Sequence, residues 1–207
     1  MTSQVPDIVV GRLPIYLRAL SHLEAHGQQI TSSKELASIL GSSAAQIRKD
    51  LSHFGEFGKQ GTGYHIAYLI KQLQHILHAD RAWHVVLVGA GDLGHALLHN
   101  QGFARRGFRI VAAFDNDPEK IGTRVGSVIV QNSQRMRDEI MQQEIKLAII
   151  AVPPPAAQAI TDVLIEAGIK AILNYSPIAL GTPDDVMVQY LDPVAHMQHM
   201  TYYLPAE

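Results

Sequence analysis

Apolar residues recur at helical spacing through residues 1–80, and glycines interrupt the pattern. This periodicity predicts helices over 14–26, 36–40, 44–54 and 66–77. Gly27 and Gly41 stand where helix C-caps belong, and Ser42 and Ser43 can cap the third helix. Two short helices joined by a tight turn behind a longer helix are typical of a helix-turn-helix.

The third predicted helix has one apolar and one polar face. Ile47, Leu51 and Phe54 recur at i, i+4 and i+7, which predicts a buried stripe. Lys49 points away from that stripe, and Asp50 lies on its shoulder, where it can pair with a cation of the same domain. The outer face has no carboxylate and suits either the DNA major groove or the solvated surface of a three-helix bundle. Its candidate DNA-binding residues are Ser43, Ala45, Gln46, Arg48, Lys49, Ser52 and His53.

The next segment, residues 54–64, contains four glycines and two phenylalanines. This composition predicts either a two-stranded hairpin with a tight tip, the wing of a winged helix, or an interdomain loop. Lys59 and Gln60 near the tip are candidate contacts to a minor groove or to phosphate. After the fourth helix, residues 79–81 are the best position for a domain boundary.

From Trp83 onward, apolar runs alternate with helical segments, as in a parallel α/β domain. The run 85–88 leads directly into Gly-x-Gly-x-x-Gly, formed by Gly89, Gly91 and Gly94. In a dinucleotide-binding turn the first glycine allows the tight turn, and the second lets the backbone approach a pyrophosphate. The third permits close helix packing, and the helix N-terminus favours the negative charge.

The ends of the following strands extend this candidate site. The apolar run 110–114 ends in Asp115, twenty-one residues past Gly94, where a carboxylate can bind a ribose 2′-hydroxyl. Further strands are predicted at 127–130, 147–152, 170–175 and 186–190, with helices over 133–143 and 156–167. Ligands bind at the carboxyl ends of parallel strands. The candidate cofactor-binding residues are therefore Gly89, Ala90, Gly91, Asp92, Leu93, Gly94, Asp115, Val152, Pro153, Asn174, Tyr175 and Ser176.

Composition narrows the classes of function. The 207 residues are 47% hydrophobic, enough for a full core, and contain no cysteine, which excludes disulfides and thiolate chemistry. The eleven histidines are scattered without a metal-binding motif, so no metal site is expected. With a net charge of −2, any nucleic-acid binding must come from local placement of cations. Without a signal peptide or an 18-residue apolar stretch, we expect a cytoplasmic protein with no membrane contact.

The pattern at 193–204 predicts an amphipathic tail helix that either docks on its own domain or reaches a partner subunit.

Two alternative functions accompany the DNA-binding interpretation. One is an NAD-dependent oxidoreductase with a helical accessory domain. No Lys or His follows the late strands to act as an acid or base, although Tyr175 could donate a proton. The other is a CoA-binding protein, which Asp115 disfavours because it suits a free ribose 2′-hydroxyl.

Taken in order, several motifs resemble the Rex family of redox-sensing transcriptional repressors. They are Gln-Ile-Arg-Lys-Asp-Leu-Ser at 46–52, the glycine-rich segment at 54–64, the glycine motif at 89–94, Phe-Asp-x-Asp-Pro at 114–118, Ala-Val-Pro at 151–153 and Ile-Leu-Asn-Tyr-Ser-Pro at 172–177. The resemblance implies a winged-helix domain at 1–80, a Rossmann NAD(H)-binding domain at 81–192 and a dimerisation helix at 193–207, exchanged between subunits. It also adds Asp117 to the cofactor site.

The resemblance further implies a homodimer, not an enzyme, that binds palindromic operator DNA when free or bound to NAD⁺ and is released by NADH. In the family, an arginine, a tyrosine and the partner's aspartate form a switch near the nicotinamide. Arg18 and Asp192 match the arginine and the aspartate, unless both are simple surface residues. The tyrosine position falls on Asn100, which is shorter and cannot stack, so the details of the switch differ here.

Overall fold

The computed structural model describes residues 5–59 and 62–205, apart from the side chain of Lys59. Contacts divide the chain into two units, Met1–Arg81 and Ala82–Glu207. The first unit is helical with a small antiparallel sheet in the order β1-β3-β2. Its elements are α1 (Asp7–Val10), α2 (Leu13–Ala25), β1 (Ile30–Thr31), α3 (Ser33–Leu40), α4 (Ala44–Ser52), β2 (Gly58–Lys59), β3 (Gly63–His65) and α5 (Ile66–Ile76).

Local signals set the helix-turn-helix formed by α3 and α4. Ser32 caps α3 and Ser43 caps α4, each hydroxyl accepting a backbone N–H at 3.1 Å. Between the helices, Gly41 takes a left-handed conformation with φ +62°, which ends α3. The predicted winged helix-turn-helix is therefore confirmed, with the hairpin β2–β3 as its wing.

The core of this unit lies between α2, α3, α4 and α5. Ile47 and Leu51 are buried as predicted, while Phe54 is only partly buried and packs against the core. α4 ends at Ser52 rather than at Phe54, because the chain turns towards β2 through Gly55, whose φ is +130°. The sequence did not predict α1 or β1, since four and two residues show no periodicity.

The second unit is a seven-stranded sheet in the order β10-β9-β8-β4-β5-β7-β6. All neighbouring pairs are parallel except β6 with β7. The strands are β4 (Trp83–Val88), β5 (Phe108–Asp115), β6 (Arg124–Val125), β7 (Val128–Asn132), β8 (Leu147–Ile150), β9 (Ala171–Asn174) and β10 (Met187–Tyr190). The helices are α6 (Asp92–His99), α7 (Gln101–Arg105), α8 (Met136–Gln142), α9 (Pro154–Glu166) and α10 (Pro193–Thr201), and a 3₁₀ turn (Ser133–Arg135) precedes α8.

This order is that of the Rossmann fold, and the predicted parallel sheet is confirmed. The direction in which strands are added reverses between β4 and β8, and ligands bind at such switch points. β8 and β9 end at Ile150 and Asn174, one or two residues earlier than predicted. The loops that follow β8 and β9 leave the sheet at these positions and line the site. Two short elements, β6 and α7, were not predicted.

Candidate functional site

The three glycines that follow β4 have different neighbours. A Cβ on Gly89, where φ is +99°, would lie 2.4 Å from the carbonyl oxygen of Ala151. A Cβ on Gly94 would lie 2.0 Å from the carbonyl oxygen of Gly89. A Cβ on Gly91 would meet no atom within 4 Å. The fold itself thus requires Gly89 and Gly94, whereas only a ligand would require the open space at Gly91.

A cavity of about 680 Å³ opens in front of this loop, at the carboxyl ends of the central strands. Its volume is within the range of cofactor sites. The residues predicted from sequence that line it are Gly89, Gly91, Asp92, Leu93, Asp115, Asp117, Val152, Pro153 and Tyr175. The sequence did not single out the other lining residues, among them Asn116, Lys120 and Ser133.

Asp115 at the end of β5 lines the cavity. Its Oδ2 accepts a hydrogen bond from the backbone N–H of Ala90 at 2.8 Å, and its Oδ1 accepts one from Asp117 at 2.9 Å. The ammonium group of Lys120 lies 3.5 Å from Asp115 Oδ2 and 3.4 Å from Asp117. Burial alone would raise the pKa of Asp115, but these N–H groups and Lys120 lower it below its usual value. The carboxylate is therefore ionised and ready to accept a ribose hydroxyl.

Four predicted cofactor residues do not line the cavity. Ala90 is buried in the turn and Gly94 is buried in α6. Asn174 holds the turn after β9: its amide nitrogen donates to the carbonyl oxygens of Ser176 and Ile178, at 3.0 and 3.2 Å. Ser176 is 4% exposed, and its hydroxyl finds no hydrogen-bond partner within residues 5–59 and 62–205. Asn174 therefore has a structural role, while the buried hydroxyl of Ser176 remains available.

These features fit a dinucleotide. Among the described residues, no side chain caps the N-terminus of α6, and the space at its N-cap Gly91 is open. A pyrophosphate there would meet N–H donors and the positive end of the helix dipole. Asp115 lies at the end of the neighbouring strand, where the ribose would follow.

In the first unit, the outer face of α4 is exposed as predicted. The exposed positions are Ser43, Ala45, Arg48, Lys49, Ser52 and His53. Arg48 donates to the hydroxyl of Ser33 at 3.0 Å, and the Ser52 hydroxyl donates to the Lys49 carbonyl at 2.7 Å. On the wing, the backbone of Lys59 belongs to β2, while its side chain and all of Gln60 lie outside the described residues.

Gln46 differs from its neighbours because it is half-buried and contacts Asp50. Asp50 is completely buried and pairs with Arg12, which confirms the predicted cation partner. Arg12 donates two hydrogen bonds to it at 2.6 and 2.7 Å, the hydroxyl of Tyr16 one at 2.6 Å and the amide of Gln46 one at 2.7 Å. Burial opposes ionisation of Asp50, but these donors lower its pKa below the usual value. Burial and the bond to Asp50 raise the pKa of Tyr16 to about 12.

The three predicted switch positions occupy both units. Arg18 is exposed on α2 of the first unit. Asn100 and Asp192 are helix N-caps: Asn100 accepts from Gly102 N–H at 2.8 Å and Asp192 from Val194 N–H at 2.9 Å. Asn100 thus separates α6 from α7, a local role that the sequence did not predict.

The tail helix α10 has no buried residue. The apolar side chains predicted for one face are exposed, with Val194, Met197 and Met200 between 54% and 63% accessible. Within the described residues, no three His, Asp or Glu side chains come together as metal ligands. Over the same residues, no helix has both the length and the apolar character needed to cross a bilayer.

Comparisons with known proteins agree on both halves. The family model "CoA binding domain" matches residues 80–178, and "Putative DNA-binding protein N-terminus" matches residues 4–52. A redox-sensing transcriptional repressor Rex from Chloroflexus aggregans is 51% identical over 206 residues, which is 100% of this chain and 97% of that protein. One from Brevibacillus brevis is 43% identical, over 97% of both chains.

Solved structures of a related repressor also match nearly the whole chain. The repressor RSP in complex with β-NAD⁺ and operator DNA superposes with a TM-score of 0.92 at 36% identity, covering 97% of this chain and 92% of RSP. RSP in complex with β-NADH superposes with a TM-score of 0.88 at 34% identity, covering 97% of this chain and 94% of RSP.

Proposed function

This chain belongs to the Rex family of redox-sensing transcriptional repressors, and we propose that it represses transcription in response to the NADH/NAD⁺ ratio. It binds operator DNA when free or bound to NAD⁺, and NADH releases it. The observation that carries the proposal is the match to RSP over 97% of the chain, since RSP was solved with operator DNA and β-NAD⁺ and also with β-NADH. Because a repressor acts on operator DNA, we place the protein in the cytoplasm.

The second unit binds the dinucleotide. The N–H groups at the start of α6 hold the pyrophosphate over Gly91, and Asp115 accepts the ribose 2′-hydroxyl, with Asp117 and Lys120 beside it. Val152, Pro153 and Tyr175 line the nicotinamide half. Ser176 follows Tyr175, but its buried hydroxyl lies outside the cavity lining.

The first unit binds DNA through α4, with Lys49 and Arg48 as its cations and the wing as a second contact. Specific contacts of this kind depend on two-fold symmetry, because a dimer places two recognition helices on a palindromic site. The uncovered apolar face of α10 supports a homodimer in which this helix packs on the partner. We assign residues 1–80 to DNA binding, 81–192 to the dinucleotide and 193–207 to dimerisation.

Discrimination between the two redox forms depends on the nicotinamide ring, which is positively charged when oxidised and neutral when reduced. Only contacts that differ between these forms shift the DNA-binding equilibrium. We assign this role to Arg18, Asn100 and Asp192. The carboxamide of Asn100 is shorter than the family's tyrosine and already caps α7, so its part in the switch is a hydrogen bond rather than stacking.

Catalytic turnover is not part of this proposal. Burial raises the pKa of Tyr175, which keeps its hydroxyl protonated, and Asp115 is held by two backbone N–H groups. Neither group is suited to accept a proton during hydride transfer.

The test is fluorescence anisotropy of a labelled palindromic operator with the full-length protein, titrated with NADH and with NAD⁺ at fixed salt. We expect release by NADH at concentrations at which NAD⁺ has no effect. Operator binding that ignores both dinucleotides would contradict redox sensing, and steady hydride transfer to an added substrate would favour an oxidoreductase.

A further inference from the structure

The buried carboxylate of Asp50 has a fixed orientation. Its side chain is 1% exposed, and Arg12 donates to both of its oxygens, at 2.6 Å to Oδ2 and 2.7 Å to Oδ1. The hydroxyl of Tyr16 adds a third hydrogen bond at 2.6 Å. Arg12 and Tyr16 belong to the start of the unit and Asp50 to α4, so these bonds tie the recognition helix to the body of the domain.

This carboxylate also fixes the amide of Gln46. The amide nitrogen lies 2.7 Å from Asp50 Oδ1. A carboxylate only accepts hydrogen bonds, so the amide cannot turn over and place its oxygen against Asp50. The carbonyl oxygen Oε1 therefore points away from Asp50, and the amide carries a second N–H beside that oxygen.

Gln46 stands where a recognition helix reads bases. It is the third residue after the N-cap Ser43, and the N-terminal residues of such helices contact base edges in the major groove. Glutamine pairs with adenine through two hydrogen bonds: its oxygen accepts from N6, and its N–H donates to N7. Guanine has an oxygen in place of the N6 amine, and an amide that cannot turn over would oppose it oxygen to oxygen.

We propose that Asp50 is a positioning residue that holds the Gln46 amide as an adenine reader and thereby excludes guanine at one base pair of each half-site. This inference rests on the proposed operator binding. It assigns the sequence preference to a buried carboxylate that does not itself touch DNA.

The first experiment pairs a side-chain change with a base change. The full-length protein selects operators from a library of two-fold symmetric duplexes with randomised half-sites. Each adenine of the selected operator is then replaced by purine, which lacks the N6 amine, and affinity is measured by anisotropy. At one adenine per half-site, replacement by purine should lower the affinity of the wild type about tenfold. Gln46→Met should bind the unmodified operator more weakly than the wild type does, and the same replacement should lower its affinity by less than about twofold.

Equal losses for the wild type and Gln46→Met at every adenine would overturn the proposal. If the wild type selects no operator at all, the proposed DNA-binding function itself fails, which is a distinguishable result.

The second experiment tests the positioning role. In Asp50→Asn, the new amide can donate or accept, so the Gln46 amide is free to turn. Discrimination between adenine and guanine at the same base pair should fall by about tenfold, while preferences at the other positions persist.

The matched control is Asp162→Asn in α9. Gln158 and Asp162 form the same i, i+4 pair at the same 2.7 Å, but in the second unit. This change should leave operator selectivity intact. Circular dichroism establishes that Asp50→Asn is folded, and unchanged discrimination in the folded variant would refute the positioning role. If Asp50→Asn does not fold, the comparison of purine sensitivity between the wild type and Gln46→Met decides the proposal.

Discussion

The substitution Gly91→Ala tests whether glycine at this position is needed for ligand binding rather than for folding. The backbone at Gly91, with φ −77° and ψ −166°, is extended and open to any residue, and a Cβ there meets no atom within 4 Å. An added methyl group therefore occupies only the space in front of α6, where we place the pyrophosphate. The variant should fold normally and bind NADH poorly.

The magnitudes follow from these distances. The free energy of unfolding should change by less than about 1 kcal/mol, because alanine fits this conformation and restricts the unfolded chain. Hydrogen bonds to charged groups contribute about 1.5–3 kcal/mol each. If the methyl group displaces the pyrophosphate from one or two backbone N–H donors, about 3 kcal/mol is lost, on the order of 100-fold in NADH affinity.

Calorimetric titration with NADH and urea unfolding measure the two quantities on the same samples. Gly94→Ala is the contrasting variant: its Cβ lies 2.0 Å from the Gly89 carbonyl oxygen, so unfolding free energy should fall by more than about 2 kcal/mol. Gly181→Ala, with its nearest neighbour atom at 3.7 Å, is the matched control and should change neither quantity. A folded Gly91→Ala protein with wild-type NADH affinity would refute the placement of the pyrophosphate.

Three further predictions concern the other functional elements. Lys49→Ala should weaken operator binding and lower the magnitude of the slope of log affinity against log salt by about one. The control Lys146→Ala, in the second unit, should change neither quantity. Equal slopes for Lys49→Ala and the wild type would show that Lys49 does not contact the DNA. Because the pKa of Asp50 is lowered in the folded chain, its contribution to stability is complete above its unfolded pKa of about 4 and declines as the pH falls further. At pH 7, the free energy of unfolding of Asp50→Asn, measured in urea, should therefore be about 3 kcal/mol lower than that of the wild type. Below pH 4, it should decline less steeply than that of Asp162→Asn. Parallel curves of unfolding free energy against pH would contradict this. Met197→Asp on the apolar face of α10 should shift the dimer to monomer in light scattering, while His196→Asp should leave it dimeric; a dimeric Met197→Asp protein would place the interface elsewhere.

The elements of the two units were predictable because their signals are local. A period of 3.6 residues identified the helices, unbroken apolar runs identified the buried strands, and glycine and serine identified the end of α3 and the start of α4. The motif Gly89–Gly94 and the acid at the end of β5 indicated the dinucleotide site for the same reason. The short elements α1, β1, β6 and α7 were missed, because two to five residues are too few to show a period.

The amino-acid sequence by itself thus determined the two-part organisation, the chemistry of each part and most of the candidate residues. Only the tertiary structure revealed that Arg12 pairs with Asp50, thirty-eight residues away, and that Asp50 in turn orients Gln46. It also brought Lys120 beside Asp115 and showed that Asn174 holds the turn after β9. Contacts between residues distant in sequence leave no periodic signal, because packing, rather than spacing along the chain, decides which polar groups meet.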